Sequence, residues 1–281
     1  MFNLANILTS CNLICGVISI AFCFSGQLDC AVYAIFLGAI FDFADGFVAR
    51  ALKIESNMGK ELDSLSDLIT FGVAPGFLMF FMILIGIEQP HLIEHFDKKV
   101  SNVHYEHYYV FNQFIHWVQA FFYGFPNNFN ASIKYLPFVA FIIPFLSLFR
   151  LAHFNLDTKQ TRNFTGVPTP LNAIMICFFP LYFHENMMNW NHEMDAVHFL
   201  FDCYSLGILA VIFSLLLISP LPLISMKLEG GNKFEKTLKI ILIISSLILI
   251  PIFKVLAIPI IITLYLIIST YHYFKKSKNE I

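Results

Sequence analysis

The chain has 281 residues, 58% hydrophobic and 13% charged, with a formal net charge of −2 and a mean hydropathy of +0.71. Soluble domains carry about 25% charged residues, so a soluble globular protein is excluded. No basic stripe with interleaved aromatics is present, which excludes a nucleic-acid partner.

Apolar runs of about 20 residues, long enough to cross a bilayer, recur along the chain. They predict an all-α, polytopic integral membrane helix bundle of about eight transmembrane helices; a β-barrel would show shorter, alternating segments. The predicted spans are 4–24, 29–50, 61–87, 135–155, 168–185, 199–226, 236–253 and 256–274. The first run lacks a basic n-region and a small-residue cleavage site, so it reads as a retained helix. Pro251 and Pro259 bracket the link between the last two spans. Between the third and fourth spans lies a long segment, 88–134, holding His91, His95, His104, His107 and His116. Within it, Phe111 to Phe122 reads as an amphipathic helix lying in the membrane interface. The histidine spacings could bind a metal, but no acidic partner set accompanies them, and solvated histidines are the simpler reading. None of the six cysteines forms a CxxC pair, which leaves buried, inert thiols. The expected organisation is one membrane domain, with a core over 1–226, an outer insertion at 88–134 and two extra spans over 236–274.

Placing the N-terminus inside puts thirteen of the 17 Lys and Arg residues in inner loops. Lys98, Lys99, Lys134 and Lys254 remain outside. The positive-inside rule then orients the chain. It sets the inner ends of the second and third spans against the cytoplasm of an inner, cytoplasmic membrane.

Those two ends carry residues 42–67, DFADGFVARALKIESNMGKELDSLSD. Asp42, Asp45 and Ala49 share one helix face, and Asp63 and Asp67 share a face of the next. Ionised carboxylates at membrane depth cost several kcal/mol, so such acids point to function. Facing one another, they would repel unless cations lay between them, and an all-oxygen set suits a hard divalent ion such as Mg²⁺ or Mn²⁺. Bridged cations would draw in a diphosphate and neutralise its charge, while one acid could take a proton from an attacking hydroxyl. Helix-terminal carboxylates solvated at the interface are the simpler alternative. Gly46 and Ala49 clear side chains from the acidic face, which serves ligand approach or plain helix packing. Arg150 ends the fourth span at the same level, either anchoring it by snorkelling or gripping an anion with its forked guanidinium.

The pattern D-x2-D-G-x2-A-R-x8-G-x3-D-x3-D, complete here at Asp42, Asp45, Gly46, Ala49, Arg50, Gly59, Asp63 and Asp67, resembles the CDP-alcohol phosphotransferase signature. The segments SDLITFGVAPGFL and RLAHFNL…FTGVPTPLNA resemble the phosphatidylserine synthase branch, with His153 where an arginine is usual and Val167 where leucine is usual. The resemblance implies displacement of CMP from a CDP-linked lipid by an alcohol, with two divalent ions, Mg²⁺ or Mn²⁺. It implies metal ligation by Asp42, Asp45, Asp63 and Asp67, with Asp67 also the general base. It implies a CDP site at Asn6, Thr9, Asp42, Gly46, Ala49, Arg50 and Gly59, and contacts from Arg150 and Asn155 to serine or the lipid phosphate. The implied partners are CDP-diacylglycerol, L-serine, the lipid bilayer and a second copy in a homodimer. A sister enzyme using glycerol 3-phosphate, inositol or choline is the alternative, and a divalent cation transporter a remote one.

Overall fold

The computed structural model describes residues 3–87, 104–123, 133–156, 163–186, 199–224 and 233–279. The chain folds as a polytopic membrane helix bundle. Helices α1 (Leu4–Phe24) and α2 (Leu28–Ala51) form an antiparallel pair. Asn3 caps α1 by accepting from the Asn6 amide at 2.8 Å. Gly26 makes the tight turn to α2 at φ 79°, and a Cβ there would strike the His107 carbonyl oxygen.

The third span is built in three pieces. Helix α3 (Asn57–Asp67) runs into a π-helical turn, Leu68–Val73, and then into α4 (Ala74–Ile87). Pro75 has no amide hydrogen, and its ring would crowd the carbonyl four residues back; a wider turn relieves both. Helix α4 is apolar all round and is the centre of the bundle, with Leu78, Met79, Met82 and Ile83 wholly buried.

Helix α5 (His104–Tyr123) packs on α4. Its aromatic face makes the contact. Phe114 meets Phe81 at 5.2 Å and Trp117 meets Phe80 at 5.5 Å between ring centroids. Trp117 donates Nε1–H to the Lys134 carbonyl at 3.2 Å, and His107 Nε2 lies 3.2 Å from Asp29 Oδ1. His107 thus has a carboxylate neighbour, while His91 and His95 lie outside the described residues.

A 3₁₀ run, Ile133–Phe141, leads into α6 (Ile142–Leu156). Helices α7 (Thr169–Asn186), α8 (Cys203–Ile218), α9 (Lys233–Phe253) and α10 (Ala257–Asn279) follow. Seven of the eight predicted spans are helical over nearly their whole length, while the sixth, 199–226, is helical over Cys203–Ile218 and runs on into a short strand. Among the described residues, five helical stretches are long and apolar enough to cross a membrane, with Ile240–Tyr271 taken as one. That last stretch is a hairpin: Lys254 adopts φ 47°, and Leu242 packs with Tyr265. The all-helical expectation needs one amendment, because strands β1 (Asn163–Thr165) and β2 (Pro222–Ile224) pair antiparallel. Together with bonds from Gly166 N to Leu221 O and Val167 N to Leu216 O, the pair fastens the entry to α7.

Candidate active site

Two helix ends and the turn between them deliver the carboxylates. Helix α2 carries Asp42 and Asp45 on its inward side and stops at Leu52, where Lys53 turns the chain at φ 54°. Ser56 then caps α3, its hydroxyl accepting from Gly59 N at 3.0 Å. One turn apart on α3, Asp63 and Asp67 return to face Asp42. Oxygens of Asp42, Asp63 and Asp67 all lie within 4.8 Å of one another. Asp63 Oδ1 is buried and has no hydrogen-bond partner. Three converging carboxylates with an orphaned buried oxygen fit a hard divalent cation, an acceptor-only donor set being what such an ion requires.

Asp45 is not in this trio. Thr9 on α1 donates its hydroxyl to Asp45 Oδ2 at 2.5 Å, and the Asp45 charge still interacts with those of Asp42 and Asp63. The Thr9 contact joins residues 36 positions apart, which helical spacing alone does not register. Asn6 and Thr9 are both buried, as a role beside the acids requires. Gly46 lies under Arg50, whose guanidinium nitrogens would be 3.4 and 3.6 Å from a Cβ there. Gly59 lies against Asn6, with Oδ1 3.2 Å from the place a Cβ would take. These small residues thus seat polar side chains, and Ala49 sits half-buried on the same helix.

Arg150 comes from α6. Its Nε is buried without a hydrogen-bond partner, and its charge interacts with that of Asp67. Asn155, one and a half turns further on, is exposed and paired with Ser64: Asn155 Nδ2 to Ser64 Oγ is 2.9 Å. The pair ties α6 to α3 at the edge of the site.

Sequence reasoning missed Asn12. It is wholly buried, and its Nδ2 donates to Asp67 Oδ1 at 3.1 Å. The Asn12 carbonyl accepts from Thr70 Oγ1 at 2.8 Å. The signal was available: Asn6, Thr9 and Asn12 are polar residues one turn apart on an otherwise apolar helix. Ser147, Thr169 and Asn172 were also passed over, and each is buried with an unpartnered side-chain atom.

Residues 2–93, which include all four carboxylates, match the family model described as CDP-alcohol phosphatidyltransferase. Over that segment the resemblance read from the signature holds at the level of the family. The chain is similar, at 47% identity over 73 residues, to the CDP-diacylglycerol–serine O-phosphatidyltransferase of Bacillus subtilis, covering 26% of this chain and 41% of that protein. It is 28% identical over 180 residues to an archaetidylserine synthase of Methanothermobacter thermautotrophicus, covering 63% and 58%. A CDP-diacylglycerol–serine O-phosphatidyltransferase of Saccharomyces cerevisiae is 56% identical over 50 residues, 18% of each chain. The first two relatives are thus matched over 41% and 58% of their own length.

Proposed function

We propose that this protein transfers the phosphatidyl group of CDP-diacylglycerol to L-serine, releasing CMP. The observation that carries the reading is the convergence of Asp42, Asp63 and Asp67 at one end of the bundle, with Asp63 Oδ1 orphaned. The names of the relatives, serine acceptors among them, support the choice of alcohol.

In this reading Asp42, Asp45, Asp63 and Asp67 hold two divalent ions, Mg²⁺ or Mn²⁺. When bound, the ions neutralise the diphosphate and stabilise the departing phosphate. Asn6, Thr9, Gly46, Ala49, Arg50 and Gly59 line the CDP site, with Thr9 fixing the Asp45 carboxylate. Asp67, oriented by Asn12, accepts the serine hydroxyl proton. The serine oxygen forms a bond to the phosphorus bearing the diacylglycerol, and the bond from that phosphorus to the CMP oxygen breaks, so CMP leaves with the electron pair. Arg150 faces the acceptor or the lipid phosphate; Asn155, already paired with Ser64, serves the rim. The acyl chains stay in the bilayer, and the charge asymmetry of the loops supports a site facing the cytoplasm from an inner membrane. Residues 1–226 form the working core in this reading, 236–274 are added spans, and the assembled form is a homodimer.

An acceptor panel tests this. Purified protein with CDP-diacylglycerol and Mn²⁺ or Mg²⁺ should release CMP with serine. Release only with glycerol 3-phosphate, inositol or choline would move the chain to a sister activity, and cation flux without CMP release would make it a transporter.

A further inference from the structure

Among the described residues of α6 and α7, four buried polar atoms have no hydrogen-bond partner: Ser147 Oγ and Arg150 Nε on α6, and Thr169 Oγ1 and Asn172 Nδ2 on α7. Ser147, Thr169 and Asn172 are 0%, 1% and 2% exposed. An unmet donor or hydroxyl in a water-poor interior costs about 1–3 kcal/mol, and four together call for something that satisfies them. Each pair is spaced three residues apart on its helix, so each pair shares a face.

Both helices pack on the π-helical turn, which brings the two pairs to the same region of the bundle. Ser147 lies against the π-helical turn, its Cβ 3.1 Å from where a Cβ on Gly72 would be. Arg150, one turn nearer the helix end, interacts with Asp67. Helix α7 packs on the same π-helical turn and on α2. The strand pair and the Gly166 and Val167 backbone bonds fix the first turn of α7 at this end. Asn172 N bonds the Pro168 carbonyl, and the N-terminus of α7 adds the positive end of its helix dipole.

We propose that Ser147, Arg150, Thr169 and Asn172 form the acceptor subsite, selecting a small amino alcohol that carries a carboxylate. This rests on the transferase reading above. Arg150 Nε and Asn172 Nδ2 are donors and suit a carboxylate's oxygens; the Ser147 and Thr169 hydroxyls can accept from an ammonium. A single arginine balances a carboxylate monoanion and leaves a phosphate dianion half-compensated, which disfavours a sugar-phosphate or glycerol-phosphate acceptor. Asp67 then lies beside the subsite, where the acceptor's hydroxyl must shed its proton.

The test uses full-length protein in lipid nanodiscs with CDP-diacylglycerol, comparing serine with ethanolamine, which lacks only the carboxylate. Asn172→Leu and Thr169→Val should each raise the serine KM about tenfold, the loss expected of a hydrogen bond to a charged group. They should leave the CDP-diacylglycerol KM within a factor of about two. In Asn172→Leu the serine-over-ethanolamine preference in kcat/KM should fall by a similar factor. A purely structural role would lower both acceptors alike and leave their ratio intact, and that result overturns the subsite. An unchanged serine KM in both variants overturns it too. If the wild-type protein releases no CMP with serine at all, the transferase assignment itself fails, a result separable from the variants.

Discussion

The third span and the closing hairpin are both strongly apolar, yet they are built on opposite rules. In Asn57–Ile87, 78% of the apolar window is buried inside the bundle; in Ile240–Tyr271 the share is 11%. The N-terminal helices approach until backbones nearly touch. A Cβ on Gly16 would lie 2.6 Å from Thr70 Oγ1, and one on Gly38 2.6 Å from Thr70 Cγ2. Buried polar links then cross between helices, Thr9 to Asp45, Asn12 to Asp67 and Thr70 to Asn12. On α9 the side chains of Ile240, Ile244, Leu247 and Ile248 point outward instead, where lipid is as good a neighbour as protein. Hydrophobicity brings a helix into a bilayer; small residues and polar partners decide what it packs against.

The sharpest challenge to that contrast is Asp67→Asn. It should cut kcat by about 10³, the scale of a lost general base, while CDP-diacylglycerol binding measured by lipid co-purification persists. Full activity in the variant removes Asp67 from the chemistry. Chelation with EDTA should likewise stop CMP release, and added Mn²⁺ or Mg²⁺ should restore it; turnover that survives chelation separates the acids from metal. Gly38→Leu should destabilise the bundle by about 3 kcal/mol or more through overpacking against Thr70, visible as a lowered thermal midpoint in detergent. An unchanged midpoint would mean the close approach is dispensable. Asn12→Leu should reduce kcat about tenfold by freeing the Asp67 carboxylate, one hydrogen bond to a charged group being at stake. Leu247→Ala, on the lipid-facing hairpin, should alter stability by less than about 0.5 kcal/mol, with turnover unchanged.

Much of this contrast was legible in the sequence, and the exceptions share a cause. Span 4–24 corresponds to Leu4–Phe24 and span 29–50 to Leu28–Ala51, because apolar length is a local property. The meeting of Asp42 with Asp63 and Asp67 also followed, since two helices joined by a short turn must face one another. What escaped were choices made between distant residues. Thr9 bonds Asp45 across 36 positions, and Asn12 reaches Asp67 across 55. The strand pair joins 163–165 to 222–224, and such short strands carry no alternation of their own. The docking of α5 on α4 also escaped, because its aromatic partners, Phe80 and Phe81, belong to another span.

The π-helical turn at Leu68–Val73 sets a phase. It lets one continuous span show its acids to α2 at one end and bury Leu78, Met79 and Met82 in the bundle at the other. Removing a single residue from it would swing α3 by about 100° relative to α4. Asp63 and Asp67 would then turn away from Asp42, and every amino acid of the signature would still be present. The convergence of these acids therefore resides in the residue count between Asp67 and Pro75 as much as in the letters of the motif.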